Sequence, residues 1–155
     1  MNKHNKKAFT MLELTFVIVV IGILSAIAIP KFAMTKDDAH ITKAKTTVSS
    51  IRNAISMEKQ KRILRGNFVA ITSLSSASGT GVNIPMFDAF DGNTSNPVLE
   101  YPLWACETPT STNCWIRTGT TYTYNMPVTG LVNFTLNNNR FDCVATDVNC
   151  QRLTR

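Results

Sequence analysis

Nineteen consecutive residues, Met11 to Ile29, carry a single charge, Glu13, and that run limits the fold more than any other feature of the chain. At 1.5 Å per residue a helix of this length measures about 28 Å, close to the roughly 30 Å hydrocarbon core of a bilayer. Leu14 to Ile29 alone would reach only about 24 Å, so a spanning helix draws Glu13 to the edge of the apolar layer or into it. An ionised acid at the bilayer centre costs roughly 2.5 to 3.5 kcal/mol on insertion scales, so this glutamate calls for a partner. Lys3, Lys6 and Lys7 precede the run, and Lys31, Lys36, Asp37 and Asp38 follow it. By the positive-inside bias the N-terminus then lies in the cytoplasm. Two plainer readings stand beside this one. In the first, the segment is an ordinary secretory signal cleaved after Ala26-Ile27-Ala28, which would release a periplasmic domain. In the second, it is a plain anchor with Glu13 idle at the interface.

The mean composition, 44% hydrophobic and 17% charged, averages two unlike parts. The apolar density is highest before Pro30, and the net charge of +6 divides unevenly. Lys31 to Gly66 holds nine basic and three acidic residues, whereas everything beyond holds four basic and six acidic. The basicity therefore belongs to one segment, and that segment reads as an amphipathic helix. Ile41, Ala44, Val48, Ile51 and Ile55 recur at steps of three and four, with Lys43, Lys45, Arg52 and Lys59 mostly off the stripe. The cationic turns around Lys59, Lys61, Arg62 and Arg65 and then Gly66-Asn67 predict its end. Gly22 and Pro30 are weak points upstream, because proline removes a donor and clashes one turn back, which predicts a kink or local melting.

Beyond Phe68 the pattern turns to short strands. Leu131 to Leu136 and Arg140 to Val144 flank Asn137-Asn138-Asn139 as a hairpin, with Thr121 to Tyr124 as a third strand. Pro97 to Trp104 and Cys114 to Arg117 are weaker candidates, while Ser73 to Gly81 and Phe87 to Asn96 read as loops. Trp104 and Trp115 are expected as core or disulfide-packing aromatics. An α+β fold follows: a long N-terminal helix, membrane-spanning in its first half and amphipathic in its second, packed on a small antiparallel sheet. The expected divisions are 1–8, 9–29, 30–66 and 67–155. Cys106, Cys114, Cys143 and Cys150 all lie in the last of these, and an even number in a small polar domain behind an apolar segment favours disulfides in an oxidising compartment. Four cysteines permit three connectivities. Pairing Cys106 with Cys114 and Cys143 with Cys150 is preferred for locality only.

Lys6-Lys7-Ala8-Phe9-Thr10-Met11-Leu12-Glu13-Leu14, followed by the apolar run with Gly22 and Pro30, resembles the N-terminus of type IV pilins and type II secretion pseudopilins. The resemblance is tight over Lys6 to Phe32 and loose over the rest, and the residue before the cut, usually glycine in the family, is Ala8. It implies a pilin-like fold and cleavage between Ala8 and Phe9 by a prepilin peptidase, which also N-methylates Phe9. It implies too that Glu13 of one subunit neutralises the new amine of its neighbour during assembly. Gly22 to Pro30 matches the stretch that unwinds in related filaments. The partners implied are further copies of the chain or other pilin-like subunits, the peptidase, an inner-membrane assembly platform with its ATPase, and inner-membrane lipid. The implied location is the inner membrane, single-pass with the head periplasmic, and then a pseudopilus or surface filament. The function expected is that of a structural subunit of a secretion pseudopilus, a DNA-uptake pseudopilus or a pilus.

No catalytic constellation stands out. His4 and His40 sit near no nucleophile, no glycine-rich phosphate loop appears, and no carboxylate pair forms an acid/base couple. No cofactor is expected. Asp88, Asp91, Asn93 and Asn96 form the one loop that suggests structural calcium, without the spacing of a helix-loop-helix calcium site, and a solvated loop is the preferred reading. Lys43, Lys45, Arg52, Lys59, Lys61, Arg62 and Arg65 offer a DNA-phosphate surface, against which a solvated face or contacts to acidic neighbours is favoured.

Overall fold

The structure, a computed structural model, describes residues 9–77, 81–128 and 130–155. The chain is α+β. A 54-residue helix α1 (Met11–Leu64) contains Gly22 and Pro30 and is helical through both. The chain divides into two compact units, 1–36 and 37–155, with the division falling inside α1. In the described part of the first unit, the apolar side chains face outward all round the helix: an 18-residue window of mean hydropathy 2.6 has none of its residues buried. A helix apolar on every face is built for an apolar surround rather than for one partner surface.

The second unit holds the core. A four-stranded antiparallel meander runs β3 (Cys114–Thr118), β4 (Thr121–Asn125), β5 (Leu131–Asn137) and β6 (Arg140–Cys143). Alternation sorts its side chains, with Trp115, Tyr122, Tyr124, Val132, Phe134 and Phe141 buried and the intervening residues outside or half-buried. Against these pack Ala44, Val48, Ile51 and Ile55 of α1, all buried, with Ile41 partly so. This is the stripe expected from the sequence. The hairpin is also as predicted: Asn137 pairs with Arg140, and Asn138 and Asn139 take φ of 48° and 60°, the two left-handed positions of a type I′ turn.

Helix α1 ends where its sequence asks it to. Gly66 sits at φ 74°, its N–H donates to the Ile63 carbonyl at 2.9 Å, and the Asn67 N–H donates to the Arg62 carbonyl at 2.9 Å. These two bonds form the paired closure that glycine permits after a last helical turn, satisfying carbonyls that would otherwise be orphaned.

Several features depart from the expectations. The candidate strand Pro97 to Trp104 shrinks to β2 (Leu103–Trp104), which pairs with β1 (Pro85–Met86) in a separate two-stranded sheet. Trp115 is buried, but Trp104 is 67% exposed and is no core residue, because the short β2 leaves it on the outer side. The loop Phe87 to Asn96 is irregular as expected yet supplies core: Phe87 is fully buried at φ 58°, stacked on Tyr122 and edge-on to Trp115, both with ring centroids at 5.3 Å. A second helix, α2 (Val148–Thr154), was not anticipated. Asp147 caps it, accepting from the Asn149 N–H at 2.8 Å, and Cys150 and Leu153 are its buried residues. Cys106 is bonded to Cys114 and Cys143 to Cys150, so the second disulfide ties α2 to β6.

Candidate assembly site

The N-terminal residues singled out by sequence lie at the head of α1, apart from Ala8, which falls outside the described residues. Thr10 starts the helix: the Glu13 N–H donates to the Thr10 carbonyl at 3.1 Å and to Thr10 Oγ1 at 3.2 Å. Thr10-Met11-Leu12-Glu13 spells a capping box, in which the acid would return a bond to the threonine N–H. That return bond is absent among the described residues, and the exposed Glu13 carboxylate has neither a hydrogen-bond donor nor a cation there. Its place in the first turn, at the positive end of the helix dipole, stabilises the charge in part. Phe9, one turn before it, is 82% exposed. The site is therefore an acid with unused acceptor capacity, one turn from the residue that would carry a new amine, at the mouth of an apolar helix.

The basic half of α1 is less available than its composition suggests. Arg52 donates to the Phe141 carbonyl at 2.9 Å and pairs with Asp142 at 2.7 Å. Arg62 bridges Glu58 at 2.9 Å and Asp91 at 2.7 Å, with Lys61 also 3.5 Å from Glu58. Burial pushes the Glu58 and Asp91 carboxyls up, but Arg62, Asn96 and Lys61 at Glu58, and the Thr72 N–H, then Arg62, the Thr72 hydroxyl and the Ser73 N–H at Asp91, hold both below the usual carboxylate range. Three of the seven cations proposed for a phosphate surface, Arg52, Lys61 and Arg62, are thus paired with acids of the head.

The same network occupies the loop considered for calcium. Asp91 Oδ1 accepts from the Thr72 N–H, Thr72 Oγ1 and the Ser73 N–H, while Oδ2 takes Arg62. Asp88 accepts from the Ser76 N–H and hydroxyl, Asn93 Oδ1 from the Ser95 N–H, and Asn96 Oδ1 from Lys61. A cation here would compete with a guanidinium for Asp91. Sequence reasoning missed this strut because nothing in the spacing joins Arg62 to a residue 29 positions on, although Glu58-x-x-x-Arg62 is a recognisable helical pair.

Comparison with known proteins agrees with the N-terminal geometry. Residues 3–29 match the model of the prokaryotic N-terminal methylation motif. The chain is 46% identical over 48 residues to the type IV narrow pilus major component PilA5 of Thermus thermophilus, covering 31% of this chain and 41% of that one. It is 34% identical over 59 residues to the type II secretion system core protein G of Pseudomonas aeruginosa, covering 38% and 42%. A fimbrial protein of Pseudomonas aeruginosa is 41% identical over 49 residues, 32% of each chain. The matches thus span about two fifths or less of these relatives' length. No solved structure matches the chain. Residues 3–29 thus carry the prokaryotic N-terminal methylation motif, and part of the chain is similar to a type IV pilus component and to a type II secretion core protein.

Proposed function

We propose that the chain is a structural, non-enzymatic subunit of a bacterial inner-membrane filament, a pilus or pseudopilus, assembled through its N-terminal helix. The observation that carries the reading is Glu13, an acid without a partner among the described residues, at the start of the apolar half of α1 and inside a methylation motif. Removal of 1–8 between Ala8 and Phe9 would create a cationic amine, and methylation of Phe9 leaves it cationic. Opposite charges a few ångströms apart in an apolar layer attract by several kcal/mol, whereas each left alone is penalised. A polar pair in an apolar bundle also sets axial register, so only a processed subunit docks. Before assembly, 9–29 resides in the inner membrane with the head in the periplasm. Withdrawing some sixteen aliphatic residues, at about 1 to 2 kcal/mol each, requires an assembly platform and its ATPase.

The relatives include both a pilus component and a secretion core protein, so the proposal is for the assembly step such subunits would share. Melting of Gly22 to Pro30 belongs to the assembled fibre in this reading, since proline leaves one carbonyl of the preceding turn without its donor. Intact-mass measurement on membrane-extracted protein tests the proposal. Loss of Met1 to Ala8 with gain of one methyl is expected, while a chain that still begins at Met1, or one cut after Ala28, overturns it.

A further inference from the structure

We infer that the head carries a two-ended contact for a second copy of this chain, joining Leu64, Phe68 and Val69 of one subunit to Val128, Leu131 and Val148 of the next. The inference rests on the filament reading above and names the surface through which heads would meet.

The first cluster lies where α1 stops. Leu64 is 89%, Phe68 80% and Val69 69% exposed. The Ile71 N–H donates to Asn139 Oδ1 at 2.7 Å, and Arg62, Phe68, Val69 and Asn139 line one small cavity of about 80 Å³. This end of the head is therefore the end that holds the β5–β6 turn.

The second cluster lies at the other end of the same strand. β5 runs from Leu131 to Asn137, so Leu131 and the turn at Asn138-Asn139 are separated by its length. Val148 is 70% and Val128 69% exposed, and Leu131 is half-exposed. Gly130 brings them together: it sits at φ 88°, and a Cβ there would stand 2.7 Å from the Asn149 side chain. The Tyr124 hydroxyl donates to the His40 carbonyl at 3.3 Å, so the head's part of α1 begins at this end and finishes at the other. The two apolar clusters cannot cover each other within one head. Between heads set end to end they can.

Individual unpaired charges can meet across the same pairing. Around the first cluster Lys59 and Arg65 form no ion pair among the described residues, while the acids Glu58, Asp91 and Asp142 are already held by Arg62, Lys61, Arg52 and Arg140. At the second end Asp38, Glu107 and Asp147 have no cation within 4.0 Å among the described residues. Glu107 is placed there by the Asn113 N–H on the Asn125 carbonyl at 2.8 Å and by Asn125 Nδ2 on the Pro109 carbonyl at 3.1 Å. Lys45, at the same end, is turned onto the Arg155 carbonyl, and Lys43, Arg152 and Arg155 are the other cations nearby. Exposed apolar clusters rimmed by charge mark protein contacts, and a contact between two unlike ends propagates as a fibre where its rotation does not close into a ring.

The test uses the full chain in its own membranes, with Phe68 replaced by photo-reactive benzoyl-phenylalanine. Irradiation should give an adduct of twice the subunit mass, mapping by peptide mass spectrometry to 126–149 of the second copy. Adducts on 63–69 of the second copy, adducts with other proteins alone, or no adduct overturn the contact. In parallel, Phe68→Glu should lower sheared-filament yield about tenfold or more, and Val148→Lys combined with it should restore part of that loss. Because Phe68 is exposed, the thermal midpoint of the head should not move. Wild-type yield from Phe68→Glu overturns the contact. The N-terminal mass of the same samples separates the two levels: an unprocessed chain defeats the filament reading itself, and processed filaments without the adduct defeat only this interface.

Discussion

At Arg62 one guanidinium serves two carboxylates, Glu58 and Asp91, that come from a helix and from a loop 29 residues on. Glu58 is buried, so removing its partner strands a desolvated charge. Arg62→Met should destabilise the head by about 2 to 3 kcal/mol, below the 3 to 5 of a fully buried pair because Arg62 and Asp91 keep some exposure. Equilibrium urea unfolding measures this, and a change under about 0.5 kcal/mol would show the strut to be dispensable. Glu13 presents the opposite case, an acid whose proposed partner lies outside its own chain. Glu13→Ala should therefore leave N-terminal cleavage largely intact while sharply reducing the filament fraction. Filaments at wild-type level would remove the pairing account. Both residues show where sequence reading stops. Glu13 is conspicuous because its neighbours are apolar, whereas Arg62 looks like any surface cation until the fold delivers Asp91 to it.

Elements with strong local periodicity were legible. The stripe of α1, its glycine stop and the Asn138-Asn139 hairpin could all be read from spacing and turn chemistry, because each is determined within a few residues of itself. β1, β2 and α2 could not, since two-residue strands and a seven-residue helix carry little pattern and depend on tertiary contacts. α2 depends on its cap, on Leu153 and on the Cys143–Cys150 bond. In the chain-entropy model a loop of about eight residues contributes about 2.5 kcal/mol. Replacing both cysteines, Cys143→Ser with Cys150→Ser, should lower stability by about that amount and bring early amide exchange to 148–154 while β4 and β5 stay protected. Uniform loss of protection across the sheet would mean that α2 is not a separable element.

For the molecule as a whole, acid is the informative perturbation. Burial raises the Glu58, Asp88 and Asp91 carboxyls, but hydrogen bonds and cations outweigh it, so folding leaves all three below their ordinary values of 4.5, 3.8 and 3.8. Below about pH 4.5 the unfolded chain then binds more protons than the folded one. The stabilisation is complete above that pH and drains away as the pH falls through the lower folded values. Thermal melts of the extracted chain in detergent should show a level midpoint for the head from about pH 7 to 5 and a decline below about 4. Arg62→Met should flatten that decline, and an unchanged slope would place the acid sensitivity elsewhere.

The helix of the first unit, apolar on every side, has a consequence for fibre geometry. In the proposed filament, a cylinder with no privileged face would tell a neighbour how deep to sit, through its lone acid, but not from which compass direction to arrive. Rotational order must then be supplied by the heads. The few fibres that subunits with polar end clusters still form should keep a normal diameter, bundled at the correct height yet with scattered azimuth, so that their helical layer lines are smeared in diffraction.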